Sequence, residues 1–224
     1  KEQVDNRPAT QWVQEVLAEL EACPEVKLLP RSTVNGYHDN KFLTIHERCS
    51  DHLTDLAPKH TARQRLHRVR AKWVVLASGS HERPLVFGNN DLPGSMLCSA
   101  VSTYINRYSV VPGQSLVVMT TNDSGYQTAL DWHSAGRKVK AVVDTRANAD
   151  SAIIQSVIKA GIRVIKGSAV VEALGSKRVT GVRINKLDPS GRKVDATSET
   201  KQVDTVATSG GYGPAVHPSF HTCS

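Results

Sequence analysis

Leu116-Val117-Val118-Met119 runs straight into Thr120-Thr121-Asn122-Asp123-Ser124-Gly125, and this junction decides the fold. A short apolar run, a turn of small and polar residues, and then a helical pattern read as strand, loop, helix. The helix is expected from Gly125 to Ala135, with Gly136 as its stop. A second strand, Val139 to Val143, ends at Asp144. A second helix follows from Ser151 to Ala160, with Ile153, Ile154, Val157 and Ile158 inward and Gly161 after it. Arg163 to Ile165 closes a β-α-β-α-β series. Such alternation with short loops predicts an α/β chain with an open, mostly parallel sheet.

The turn lies where a dinucleotide fingerprint lies, and Asp144 stands where a ribose hydroxyl is held. Only Gly125 remains of the three glycines. Thr120 takes the tight-turn position and Asn122 the place where backbone approaches a pyrophosphate. Side chains there crowd a dinucleotide, so this unit reads as Rossmann-like without its nucleotide. Asp123 or Ser124 then serves as a helix cap.

Outward from this series, short strands are expected at Val170 to Leu174, Val179 to Lys186 and Val203 to Ala207, with a turn at Pro189-Ser190-Gly191. On the other side, Pro112-Gly113 is a boundary. Ala100, Val101, Tyr104, Ile105 and Tyr108 mark a helix. Trp12, Val13, Val16, Leu17 and Leu20 mark another, capped at Thr10 and stopped by Pro24. Phe42 to Glu47 reads as a strand after a turn at Asn35 to Asn40. Gln64 to Ala77 reads as a longer strand, ending in the apolar run Trp73-Val74-Val75-Leu76-Ala77. Ala77-Ser78-Gly79 and Ser209-Gly210-Gly211 are both strand ends running into small residues, where backbone can approach a phosphate.

Composition excludes several classes. The chain has 224 residues, enough for one large or two small domains. Its 39% hydrophobic and 22% charged residues are ordinary for a globular protein, and no run approaches the ~20 apolar residues of a membrane helix. The start at Lys1 without Met, and the end at Cys223-Ser224, suggest a piece of a longer polypeptide. Cys23, Cys49, Cys98 and Cys223 form no C-x-x-C pair and read as reduced thiols of a cytoplasmic protein. The net charge of +7 is concentrated in Lys59, Arg63, Arg65, Arg68, Arg70 and Lys72. With only 5% aromatic residues this is a solvated strand face rather than a nucleic-acid surface. His81-Glu82-Arg83-Pro84 could do acid–base work. It lacks a nucleophile or metal partner, so pairing with neighbouring domains or subunits is the better reading. No catalytic residue and no metal site are assigned.

Longer stretches carry a family resemblance. Pro24 to Val34, Gly36 to Asn40, Ala77 to Pro84, Asn89 to Met96, Thr121 to Ser124 and Ser209 to His217 together resemble the alpha subunits of heterotetrameric sarcosine oxidases. The combination of Glu82-Arg83-Pro84 with Asn89-Asn90-Asp91-Leu92-Pro93-Gly94-Ser95-Met96 is its specific part. The resemblance implies two Rossmann-like units of the FAD/NAD-linked reductase type, the first one incomplete. Residues 1–95, completed by 204–224, are expected as the partial first dinucleotide-binding domain, and 96–203 as an inserted second domain.

The resemblance further implies an oxidoreductase acting on the CH-NH group of donors. In such complexes sarcosine is demethylated to glycine with release of hydrogen peroxide, and the one-carbon unit passes to tetrahydrofolate. NAD is expected on this subunit, FAD and FMN mainly on the beta subunit, and tetrahydrofolate on a domain beyond Ser224. Beta, gamma and delta subunits are the expected partners, with no nucleic acid and no membrane. The cofactor-binding residues it implies are Val34, Ala77, Ser78, Gly79, Gly210 and Gly211. Ser78 stands where the family's strand end has threonine, so a hydroxyl is kept. Alternatives are the alpha subunit of an opine dehydrogenase, a proline dehydrogenase or a cyanide-forming amine dehydrogenase, or a non-catalytic Rossmann-like assembly module.

Overall fold

The computed structural model describes residues 3–191 and 194–217. Two compact units divide between Ser78 and Gly79 and again between Ala215 and Val216. Cys223 lies outside the described residues.

The first unit opens with a small hairpin, β1 (Gln3–Val4) and β2 (Arg7–Pro8), and a helix, α1 (Ala9–Ala22). Pro8 rather than Thr10 precedes the helix, and none of its residues is buried. β3 (Ser32–His38), β4 (Phe42–Arg48) and β5 (Gln64–Arg70) form an antiparallel sheet in that order. Asn35-Gly36 lies inside β3, where the register with β4 shifts, and not at the turn. The turn is Asp39–Lys41, with Asn40 and Lys41 at positive φ. β5 stops at Arg70, short of the expected Ala77. Trp73 and Val75 are 84% and 88% exposed, so the apolar run that reads as a buried strand has no partner strand within this unit. Leu43 is the one hydrophobic residue of this unit counted as buried among the described residues.

The second unit holds the core. β6 (Ser80–Glu82), β7 (Ser95–Leu97) and α2 (Cys98–Tyr108) come first. β8 (Ser115–Thr120), α3 (Ser124–Ser134), β9 (Lys138–Asp144), α4 (Ala152–Lys159) and β10 (Val164–Lys166) give the expected β-α-β-α-β series. β11 (Ser168–Leu174), β12 (Gly181–Leu187) and β13 (Val194–Lys201) form an antiparallel meander. β14 (Thr205–Ser209) and β15 (Tyr212–Pro214) end the unit.

The main sheet is parallel throughout, in the order β10-β9-β8-β14-β7. β14 is therefore part of this second sheet, between β8 and β7. Residues 79–95 and 204–215, read as parts of the first domain, group with the second unit instead, whereas Val216 and His217 group with the first. For β14 the physical reason is burial. All five residues Thr205–Ser209 are buried and need a neighbour on each side, which β8 and β7 supply.

Side chains alternate across the sheet. Leu116, Val118, Val142 and Ala207 face α2, α3 and α4, packing with Val101, Tyr126, Trp132, Ile154 and Val157. Val117, Met119, Val143 and Val206 face the meander, packing with Phe87, Val170, Ala173, Val182, Ile184 and Val203. Three layers result: helices, parallel sheet, meander. No helix among the described residues is long and apolar enough to cross a membrane.

Candidate functional site

The chain leaves β8 for β9 on one side, while β14 and β7 lie on the other. The sheet's switch point therefore falls between β8 and β14, and the crevice at their carboxyl ends is where such sheets take ligands. Three segments meet there: Thr120–Gly125, Ser209 and Asp144.

The first segment is closed on itself and on the second. The Thr120 hydroxyl donates to the Asn122 carbonyl at 2.7 Å. The Thr121 amide donates to the Ser209 carbonyl at 3.0 Å. Asn122 Nδ2 donates to the Ser209 carbonyl at 3.3 Å and to its hydroxyl at 3.1 Å. Asn122 Oδ1 accepts the Ser124 amide at 2.9 Å and the Ser124 hydroxyl. An asparagine side chain thus occupies the opening of α3, where a phosphate would otherwise meet a backbone amide. Gly125 keeps the third glycine's role. A Cβ there would stand 2.6 Å from Thr120 Cβ, so helix and strand can pack this closely only at glycine.

Asp144 is fully buried. Its carboxylate accepts the Tyr126 hydroxyl at 2.7 Å, the Arg146 amide at 2.8 Å, Arg146 Nε at 3.1 Å and Arg146 Nη2 at 2.8 Å. Arg146 also binds Asp123 at 2.7 Å. Burial and the bond to Asp144 push the Tyr126 phenol up. The bond from Arg146 holds Asp123 below the usual carboxylate range. Tyr126 and Arg146 are the site residues that spacing does not reveal. The available signals are an arginine two residues after the ribose-position acid and a tyrosine in the first turn of α3.

The other expected residues are placed as follows. Val34 lies exposed on β3 beside the register shift. Ala77 and Ser78 are exposed in irregular chain at the end of the first unit. Gly79, at positive φ, accepts the Ala215 amide at 2.9 Å. β6 pairs with β15, and Gly210 and Gly211 form the turn beside this ladder. The Gly210 amide donates to the Arg83 carbonyl at 2.7 Å, and a Cβ on Gly210 would stand 3.0 Å from that oxygen. Gly211, at φ +89°, accepts the Arg83 amide at 2.8 Å. Close backbone packing favours glycine at 210, and the left-handed backbone favours it at 211.

Glu82 is nearly buried, and its Oε2 accepts the Ser99 amide at 2.7 Å, capping α2. The thiol of Cys98 is pushed up by burial and by Glu82, which makes it a poor nucleophile. The basic stretch is partly neutralised. Arg63 pairs with Asp51 beside the sheet, Arg65 pairs with Glu47 across it at 3.3 Å, and His67 hydrogen-bonds the same carboxylate at 2.7 Å. Arg68 lies over the Phe42 ring. Among the described residues no three His, Cys, Asp or Glu side chains converge as a metal site.

No protein-family model matches the chain. Over 96% of its length it is 40% identical to sarcosine oxidase subunit alpha of Corynebacterium sp. (strain P-1) and 39% identical to that of strain U-96. It is 34% identical over 97% of its length to the subunit alpha of Rhizobium meliloti (strain 1021). The chain spans 21–22% of the length of these curated relatives. Among solved structures, it is similar to bacillithiol disulfide reductase from Staphylococcus aureus, with a TM-score of 0.61 and 16% identity over 99% of this chain and 61% of that one. It is also similar to L-proline dehydrogenase from P. horikoshii, with a TM-score of 0.57 and 19% identity over 99% of this chain and 35% of that one. The fold is that of the FAD/NAD(P)-binding oxidoreductases.

Proposed function

We propose that this chain is the nucleotide-binding portion of the alpha subunit of a sarcosine oxidase-type flavoprotein complex. The observation that carries the reading is the continuous 34–40% identity to sarcosine oxidase alpha subunits over at least 96% of the chain. Those relatives are subunits of an oxidoreductase by name, and their names supply the substrate class. The complex would oxidise the CH-NH bond of sarcosine, yielding glycine and hydrogen peroxide and passing the one-carbon unit to tetrahydrofolate. The beta subunit would supply most of the flavin centres, and gamma and delta subunits would complete the assembly in the cytoplasm.

NAD belongs, in this reading, to the first unit. Val34, Ala77 and Ser78 fit its needs. All three are exposed, and the last two carry side chains small enough for close backbone approach. Gly79, Gly210 and Gly211 then keep the ladder of β6 and β15 in register. When bound, NAD supplies an electron-accepting nicotinamide. The chain's own part is to hold and orient the nucleotide. No residue of this chain is assigned to the amine chemistry, which fits a substrate site on another subunit.

The test is co-expression of the intact protein with its neighbouring subunits, followed by a peroxide assay with sarcosine. Sarcosine-dependent peroxide release supports the reading. Oxidation of proline or an opine, without peroxide, overturns it in favour of the dehydrogenase alternative. No amine oxidation by an assembled, flavin-loaded complex overturns both.

A further inference from the structure

We infer that the second unit is closed to dinucleotides by its own side chains, with Asn122 standing in for the pyrophosphate and Arg146 with Tyr126 for the ribose. NADH and NADPH are then not ligands of the β8–β14 crevice, although the crevice is the place such sheets use. The inference stands apart from the proposed function, because it concerns only residues 79–215.

Three observations carry it. The first is saturation. An ionised carboxylate has about four acceptor positions. Asp144 receives four hydrogen bonds, from Tyr126, the Arg146 amide and two Arg146 guanidinium nitrogens, so none is left for a ribose hydroxyl. The second is substitution. Asn122 Oδ1 takes the Ser124 amide at the α3 opening, and Asn122 Nδ2 ties the loop to Ser209. The third is shape. Gly125 retains its packing role against Thr120, yet the two positions that must lack side chains carry Thr120 and Asn122.

The lock is a set of hydrogen bonds and ion pairs within the unit's own side chains. Arg146 bridges Asp144 and Asp123, so the buried acid is compensated in the free protein. The unit is thereby a preformed α/β block carrying no reduced nicotinamide.

The experiment is hydrogen–deuterium exchange on the intact protein, titrated with NADH and with NADPH to millimolar concentration. Peptides covering 115–126 and 140–148 are expected to show unchanged exchange, with any protection confined to other segments. Protection of these two peptides by either nucleotide at micromolar concentration overturns the inference. A second variant keeps it falsifiable from the other side. Thr120→Gly with Asn122→Gly rebuilds Gly-x-Gly-x-x-Gly ending at Gly125, and Arg146→Ala frees Asp144. This triple variant is expected to gain nucleotide protection at 115–126, with at least tenfold tighter binding than the parent. If its circular dichroism matches the parent and no protection appears, these three residues are not the lock.

Discussion

The amide of Asn122 reaches the hydroxyl of Ser209 at 3.1 Å, joining the loop after β8 to the end of β14 across the sheet's switch point. The two residues lie 87 positions apart in the chain. Their contact bridges the crevice and adds to the backbone ladder that holds β14 beside β8. Asn122→Ala should remove the tie and uncap the Ser124 amide. We expect a loss of about 0.5–2 kcal/mol, the range for cap removal, read as a lowered melting temperature with unchanged secondary structure. An unchanged melting temperature would mean that the loop is held by Thr120 and Thr121 alone.

Arg146 compensates a fully buried carboxylate. Arg146→Ala should destabilise the second unit by about 3 kcal/mol, the low end for breaking a buried pair, because Arg146 is itself partly exposed. Tyr126→Phe removes one donor to a charged carboxylate and should cost about 1.5–2 kcal/mol, the low end for such a bond. Denaturant unfolding checks the ratio, and a larger loss for Tyr126→Phe would contradict the assignment.

Gly125 and Gly136 separate two reasons for glycine. A Cβ on Gly125 meets Thr120 at 2.6 Å, whereas one on Gly136 meets nothing within 4 Å. Gly125→Ala should cost about 1–3 kcal/mol through overpacking against a buried strand. Gly136→Ala costs only the left-handed backbone penalty at φ +75°, about 1 kcal/mol. Urea midpoints of the two variants test the order.

Asp204 gives a pH signature. Its carboxylate accepts the amides of Gln114 and Ser115 at 2.8 and 3.0 Å. Burial pushes its pKa up, but these hydrogen bonds outweigh it and hold the group below its ordinary 3.8. A lowered folded value means that the contribution is complete above about pH 4 and is lost as pH falls through the folded pKa. Asp204→Asn should therefore be less stable than the parent at neutral pH and flatter below pH 4. Parallel acid melts of parent and variant would contradict this.

The two units should also part company in solution. The second has two apolar cores, one on each face of its parallel sheet, while the first exposes Trp73, Val75, Val34 and Leu66. Limited proteolysis should cut near Ser78 first, leaving a resistant 79–215 product. Residues 1–224 expressed alone should bind a hydrophobic dye and be poorly soluble. A sharp cooperative melt of a monomeric, dye-negative chain would contradict the exposed face.

Much of the second unit is legible in the sequence, because Leu116 to Ile165 alternates strand and helix patterns of full length. The mismatch at Thr120 and Asn122 is also legible, since the fingerprint needs glycine there. β7 is not, being three residues of edge strand directly after Gly94. Nor is β13, whose Val-Asp-Ala-Thr-Ser-Glu-Thr-Lys is polar because it edges the meander. The placement of β14 is a long-range choice. Thr205–Ser209 suits any buried parallel strand, and only the pairing with Leu116 and Ser95 fixes its sheet. Arg146 and Tyr126 are hidden for the same reason, as their role depends on how the turns after β8 and β9 meet.

The most direct measurement is the nucleotide released on denaturing the intact purified complex, counted per alpha chain. The account predicts one NAD, unchanged by Asn122→Ala and lost when Ser78→Trp fills the first unit's small-residue turn. Two nucleotides per chain, or one that Asn122→Ala removes and Ser78→Trp does not, would place the ligand in the crevice beside Asn122 and contradict the account.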